Sequence, residues 1–126
     1  MIRVIVADDN VPIRSVVQML IKRSYPGWDI TEVENGLEAV KAAEHEPPDL
    51  VILDVSMPVM DGFLAAQNIK ARRPDIPVII ISGSIDVGCP DEAFRCGAQG
   101  YVSKLKLAEQ LIPAIQTVLS GAPYPA

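Results

Sequence analysis

Carboxylates, hydroxyls and one ammonium recur in this chain at a single kind of place, immediately after a short apolar run. Asp8 and Asp9 follow residues 2–7, Asp54 follows residues 50–53, 82-SGS-84 follows residues 78–81, and 103-SK-104 follows residues 101–102. If Asp8, Asp9 and Asp54 share one place, each pair repels by about 3 kcal/mol at roughly 5 Å and an effective dielectric of about 20. A bound cation removes that cost. With no His or Cys in the set, oxygen ligation favours a hard ion, Mg²⁺ or Mn²⁺, which keeps several waters and accepts a phosphoryl oxygen as a further ligand. Taken singly, Asp8 and Asp9 could cap a helix and Asp54 could open a turn. Three carboxylates together, with Lys104 at the corresponding position of a fourth run, point to a site.

Something must bring these run ends together. The runs at 2–7, 30–33, 50–53, 78–81 and 101–102 are short, and most are rich in Val and Ile, which predicts strands buried on both faces of a parallel sheet. Between them the spacing predicts helices. Ile13, Val16, Val17, Leu20 and Ile21 make one apolar face, with Pro12 near the first turn. A second helix is expected over 36–45, stopped by Pro47-Pro48, and a third over 62–72, stopped by Pro74. Gly88 and Pro90 leave only about 91–96 for a fourth, which should be short or mobile. Leu111, Ile112, Ile115, Val118 and Leu119 form the apolar face of a fifth, which Pro113 should kink or shorten. The pattern is five βα units, a doubly wound α/β sheet. In such a sheet ligands bind at the carboxyl ends of the strands, and the strand order 2-1-3-4-5 would place every polar run end on one rim.

Composition narrows the possibilities. A chain of 126 residues with 49% hydrophobic content is one domain with one core. A net charge of −5 with scattered basic residues argues against direct nucleic-acid binding by this segment. No apolar run approaches transmembrane length, and the N-terminus meets two carboxylates too early for a signal peptide, so a cytoplasmic location is the expectation. Cys89 and Cys96, if they lay on one helix, would be about 10 Å apart and beyond disulfide reach. His45 has no partner ligand nearby and reads as a solvated side chain.

Four pieces in this order resemble one family. The acidic pair Asp8-Asp9, the run 54-DVSMPVMDG-62, Ser82, and 97-GAQGYVSK-104 are similar to the motifs of response-regulator receiver domains, and the resemblance spans residues 1 to about 120. It implies a (βα)5 flavodoxin-like fold and a phosphoacceptor switch of a two-component system, a regulatory domain that assists its own phosphorylation and dephosphorylation only. In that family's terms a histidine kinase would donate a phosphoryl group to Asp54. Asp9 and Asp54 would ligate Mg²⁺ directly with the backbone carbonyl of Ser56, and Asp8 would act through water. Lys104 would pair with the phosphoryl oxygens and Ser82 would hydrogen-bond one of them, while Ser56 and Ser84 flank the path of attack. The Met57-Pro58 turn would carry the chain away and keep the site open. Ser82 and Tyr101 would form the switch, with the surface of the fourth helix, fifth strand and fifth helix reporting its state.

The stretch 111-LIPAIQTVLSGAPYP-125 is similar to the last helix and linker of response regulators that carry a LuxR-type helix-turn-helix domain. This implies a receiver at 1–120, a linker or chain end at 121–126, transcriptional output through a DNA-binding domain outside these residues, and weak homodimerisation on phosphorylation. A stand-alone receiver is the alternative. A haloacid-dehalogenase-like phosphatase also uses a strand-end aspartate, but it needs a second aspartate where this chain has Ser56. A flavodoxin-like cofactor binder would need hydroxyls and amides, not Asp8-Asp9, facing its phosphate. No GxxxxGK is present for a nucleotide-binding P-loop.

Overall fold

The computed structural model describes residues 1–83 and 89–125, with the backbone alone for Cys89 and Pro90. Five strands and five helices alternate: β1 (Arg3–Ala7), α1 (Val11–Ser24), β2 (Asp29–Val33), α2 (Gly36–His45), β3 (Leu50–Asp54), α3 (Gly62–Arg72), β4 (Val78–Ser82), α4 (Cys89–Arg95), β5 (Gly100–Ser103) and α5 (Leu107–Leu119). A single 3₁₀ turn, Lys104–Lys106, joins β5 to α5. All strand pairings are parallel and the order is β2-β1-β3-β4-β5.

The sheet divides the core in two. On one face Ile5, Val51, Leu53, Val78 and Ile80 pack against Ala39, Ala65, Ala66 and Ile69 of α2 and α3. On the other, Val4, Val6, Ile52, Ile79 and Ile81 pack against Val17 and Ile21 of α1 and Leu111, Ile115 and Val118 of α5. This two-sided burial explains why β3 and β4 are continuous apolar runs, since alternate residues serve opposite layers. β2 differs: as an edge strand it leaves Thr31 and Glu32 exposed, so it is not buried on both faces as the run at 30–33 suggested.

Two further readings need correction. β3 and β4 run one residue longer than their apolar stretches, so Asp54 and Ser82 are the last residues of strands and are held by the sheet itself. Pro113 does not shorten α5, which continues through it for 13 residues. An interior proline costs about 3 kcal/mol. Here the buried face of Leu107, Leu111, Ala114, Ile115 and Val118 offsets it, at roughly 1.5–3 kcal/mol per large apolar side chain. α4 is short, seven residues, as Gly88 and Pro90 implied. Cys96 follows it as a buried free thiol whose S–H donates to the Ala93 carbonyl, and burial pushes its pKa up.

Candidate functional site

The carboxyl ends of β1, β3, β4 and β5 open onto one cavity of about 420 Å³, lined by Asp9, Asn10, Asp54, Val55, Ser56, Ser82, Gly83 and Lys104. Asp8 lies beneath it, fully buried, and Asp54 is 3% exposed, whereas Asp9 faces solvent. One oxygen from each of Asp8, Asp9 and Asp54 can be chosen so that all lie within 4.8 Å of one another.

Local backbone chemistry explains how two adjacent carboxylates stay available. Asn10, rather than either aspartate, caps α1: its side-chain oxygen accepts from Ile13 N–H at 3.1 Å. Asp8 Oδ1 accepts from Asn10 N–H at 2.8 Å, and the Asp8 carbonyl accepts from Arg14 Nη1 at 2.6 Å. These bonds fix the Asp8 backbone and leave Oδ2 directed at Lys104 Nζ, 3.0 Å away. That contact lacks hydrogen-bond alignment, so Oδ2 is a buried oxygen balanced by charge alone.

The loop after Asp54 does more than lead the chain away from the site. Met60 N–H donates to the Pro58 carbonyl at 2.7 Å, and Val59 sits at φ 70, a left-handed conformation that costs a β-branched residue strain. The chain then returns. Gly62 N–H donates to the Val55 carbonyl at 2.9 Å, and a Cβ on Gly62 would stand 2.0 Å from the Asp54 carbonyl oxygen. Gly36 donates to the Met60 carbonyl at 3.0 Å, and a Cβ there would approach that oxygen to 2.3 Å. Two glycines therefore let the loop press against the backbone of Asp54 and hold it from behind. Asp61 then caps α3 by accepting from Leu64 N–H at 2.8 Å.

Lys104 reaches in from the end of β5 and stands 3.2 Å from Asp54 Oδ1 as well as 3.0 Å from Asp8 Oδ2. One ammonium shared between two buried carboxylates compensates neither fully. Burial, reinforced by the charge of Asp8 and opposed by Lys104, pushes Asp54 up to about 6. Burial pulls Lys104 down, but the carboxylates of Asp8 and Asp54 beside it outweigh that and leave it above its ordinary value. Negative charge is thus in excess within an all-oxygen cluster, which also holds a buried oxygen that lacks a hydrogen bond. Those are the properties a hard divalent cation requires of a site, and the donor set fits Mg²⁺.

The remaining residues singled out in the sequence fall on the same side of the sheet or close to it. Ser82 is buried at the end of β4, paired in register with Ser103. Ser56 lines the cavity. Tyr101 is half-buried in β5 and packs towards the α2 and α3 layer. Ser84 lies outside the described residues. His45 is exposed at the end of α2 and is not among the residues that line the rim cavity. Asn10, Gly36 and Gly62 were missing as site residues; Asn10 had an N-cap signal just before an apolar-periodic stretch, whereas the glycines read only as helix starts.

Comparison with known proteins agrees with this geometry. Residues 4–116 match the model of the response regulator receiver domain. The chemotaxis protein CheY of Listeria monocytogenes is 34% identical over 116 residues, 92% of this chain and 97% of that protein. A glycerol metabolism activator of Pseudomonas putida is 30% identical over 125 residues, 98% of this chain but 57% of the activator. The chain therefore spans a little over half the length of that relative. Among solved structures, a LuxR-family two-component response regulator from Aurantimonas sp. superposes with TM-score 0.88 at 28% identity, covering 96% of this chain and 86% of that one. A LuxR-family DNA-binding response regulator from Staphylococcus aureus gives 0.85 at 31% identity, covering 94% and 99%.

The chain belongs to the response-regulator receiver family, the regulatory phosphoacceptor modules of two-component signalling, and not to a family of catalytic enzymes. Receiver domains bind Mg²⁺ through an acidic pocket and interact with histidine kinases, and this chain carries such a pocket. Among the described residues no helix is long and apolar enough to cross a membrane.

Proposed function

We propose that Asp54 is the phosphoryl acceptor of this domain and that Lys104, Ser82 and the acidic cluster serve the transfer. The observation that carries the reading is the placement of Asp54: a buried carboxylate at the last position of a central strand, opening onto a rim cavity and touching the one ammonium that also faces Asp8. The Asp54 carboxylate attacks phosphorus, a new P–O bond forms, the P–N bond to the kinase histidine breaks, and the leaving imidazole keeps the nitrogen lone pair and picks up a proton. Asp9, Asp54 and the Ser56 carbonyl would hold Mg²⁺ (or Mn²⁺), with Asp8 acting through water. Bound there, the ion would neutralise charge on the transferring oxygens, which is most of what phosphoryl transfer asks of a protein.

The chain's own residues do the rest. β3 and the returning Gly62 hold the nucleophile in place from behind, which is positioning rather than chemistry. Lys104 exchanges a carboxylate partner for a phosphoryl oxygen without crossing the cavity, and Ser82 offers a hydroxyl from the neighbouring strand. A phosphoryl group adds nearly two negative charges at this point, and the response passes through Ser82 and Tyr101 to the α4–β5–α5 surface. Residues 1–120 form the receiver and 121–126 begin a linker. The length of the curated relatives and the LuxR-family names of the similar structures support a DNA-binding output domain in the whole protein. A sensor kinase would control it in the cytoplasm, with homodimerisation on phosphorylation.

The test is intact mass after incubation with Mg²⁺ and acetyl phosphate, beside Asp54→Ala and a metal-free control. The expected result is one added phosphoryl group, absent from both controls. Addition to the Asp54→Ala chain would move the acceptor elsewhere.

A further inference from the structure

β5 is the outermost strand, yet its free edge is not bare. After α5 the chain makes a tight reversal in which Gly121, at φ 97, donates to the Val118 carbonyl at 3.1 Å and Ala122 donates to the Thr117 carbonyl at 3.1 Å. This pair of bonds is the Schellman arrangement, and its left-handed position favours glycine. The reversal returns residues 122–125 to the sheet. Tyr124 N–H donates to the Gln99 carbonyl at 2.9 Å, and Tyr101 N–H donates to the Tyr124 carbonyl at 2.8 Å, a parallel bridge between Tyr124 and Gly100. Tyr124 is half-buried against the cluster that includes Ile79, Val102 and Val118, while Ala122, Pro123 and Pro125 are exposed.

We propose that residues 121–125 act as a strap: docked on the edge of β5 while Asp54 is unmodified, and released when Asp54 carries a phosphoryl group. The proposal rests on the receiver reading and extends it, because it identifies what the switch moves. Three features support it. The strap holds the main-chain N–H of Tyr101, three residues before Lys104, which touches Asp8 and Asp54. β5 has only four residues, so a shift of its end as Lys104 follows the phosphoryl group is not absorbed within a long strand. Among the described residues the attachment is also small, one ring and two hydrogen bonds, with a proline on each side of Tyr124 that has no N–H to donate. Such a contact covers an edge against pairing with other chains while remaining weak enough to reverse. Because the bridge is parallel, the docked strap runs towards the rim that bears Lys104, and release frees the direction in which the chain leaves the domain.

By linkage, whatever weakens the docked state must favour the modified one to the same degree. Tyr124→Ala should therefore tighten beryllofluoride binding in the presence of Mg²⁺ by about three- to tenfold. Amide hydrogen exchange followed by NMR provides the structural readout. Tyr101 and Tyr124 amides should be protected in the unmodified chain, and both should exchange faster once mass shows a phosphoryl group in place. Unchanged protection in a chain proved by mass to be phosphorylated would overturn the strap while leaving the acceptor reading intact. Fast exchange of both amides in the unmodified chain would overturn it without reference to the site. If no phosphoryl group is added, the acceptor reading and the coupling fall together, and protection at Tyr101 and Tyr124 reports docking by itself.

Discussion

β3 and β5 flank β4 on opposite sides, end on the same rim and deliver the two charges that meet there, yet they are held in different ways. All five residues of β3 are buried, and the loop that follows it folds back so closely that Gly62 touches the backbone of Asp54. β5 has four residues, two of them only half-buried. It lies at the edge of the sheet, between β4 and the five-residue return of the chain, with α5 on one face and the seven-residue α4 nearby. The carboxylate is thus built into a fully buried interior strand, and the ammonium onto the end of an edge strand. A switch needs that asymmetry: an acceptor that does not move when its charge changes, and a partner strand that does.

The largest effect should come from breaking the stiff side. Gly62→Ala puts a Cβ 2.0 Å from the Asp54 carbonyl oxygen, a backbone atom that cannot swing aside. A loss on the order of 4 kcal/mol is expected by urea unfolding. At Gly83, by contrast, a Cβ would meet, among the described residues, only Cδ of Lys104 at 3.4 Å, ordinary contact with a flexible side chain, and Gly83→Ala should change stability by less than about 0.5 kcal/mol. Equal losses at the two positions would show that Gly62 is no more tightly constrained by the backbone of Asp54 than Gly83 is by the Lys104 side chain.

Removing the shared ammonium comes next. Lys104→Met leaves Asp8 and Asp54 buried without their cation, and breaking a buried pair in this way costs about 3 kcal/mol. The comparison sharpens when Mg²⁺ is added. If β3 is preformed, millimolar Mg²⁺ should restore most of the lost stability, because the ion supplies the missing charge to oxygens already in place. A deficit that Mg²⁺ does not reduce would mean that Lys104 builds the pocket as well as neutralising it. Thermal unfolding with and without EDTA reads both.

These contrasts also show what could be read from the chain before folding. The central strands, α2 and α3 announce themselves locally, through Val- and Ile-rich runs and through Pro47-Pro48 and Pro74 beyond the helix ends. Convergence of Asp8, Asp9, Asp54 and Lys104 followed from parallel topology alone, because that topology puts every strand's carboxyl end on one side. What stayed hidden depends on contacts between distant backbones. The need for glycine at 36 and 62 arises from carbonyls at Met60 and Asp54, and the pairing of Tyr124 with Gly100 crosses a whole helix. Pro113 misled for a related reason, since a local cost was outweighed by burial that only the tertiary structure supplies.

The smallest effect tests the charge on β3 itself. Burial first, and then Asp8, raises Asp54 from 3.8 to about 6 despite Lys104. Between those values the folded chain holds a proton that the unfolded chain has lost, so folding stability contributed by this group is fully present below pH 3.8 and disappears as pH rises through 6. Asp54→Asn has nothing to titrate there. In EDTA it should be more stable than the natural chain by about 2 kcal/mol at pH 7.5, with the advantage shrinking towards zero near pH 4. With Mg²⁺ present the order at pH 7.5 should reverse, because the ion stabilises only the carboxylate form. An advantage in EDTA that is the same at pH 4.5 and pH 7.5 would show that Lys104 already compensates Asp54 in full. The excess negative charge that the rim keeps for a metal ion would then be absent.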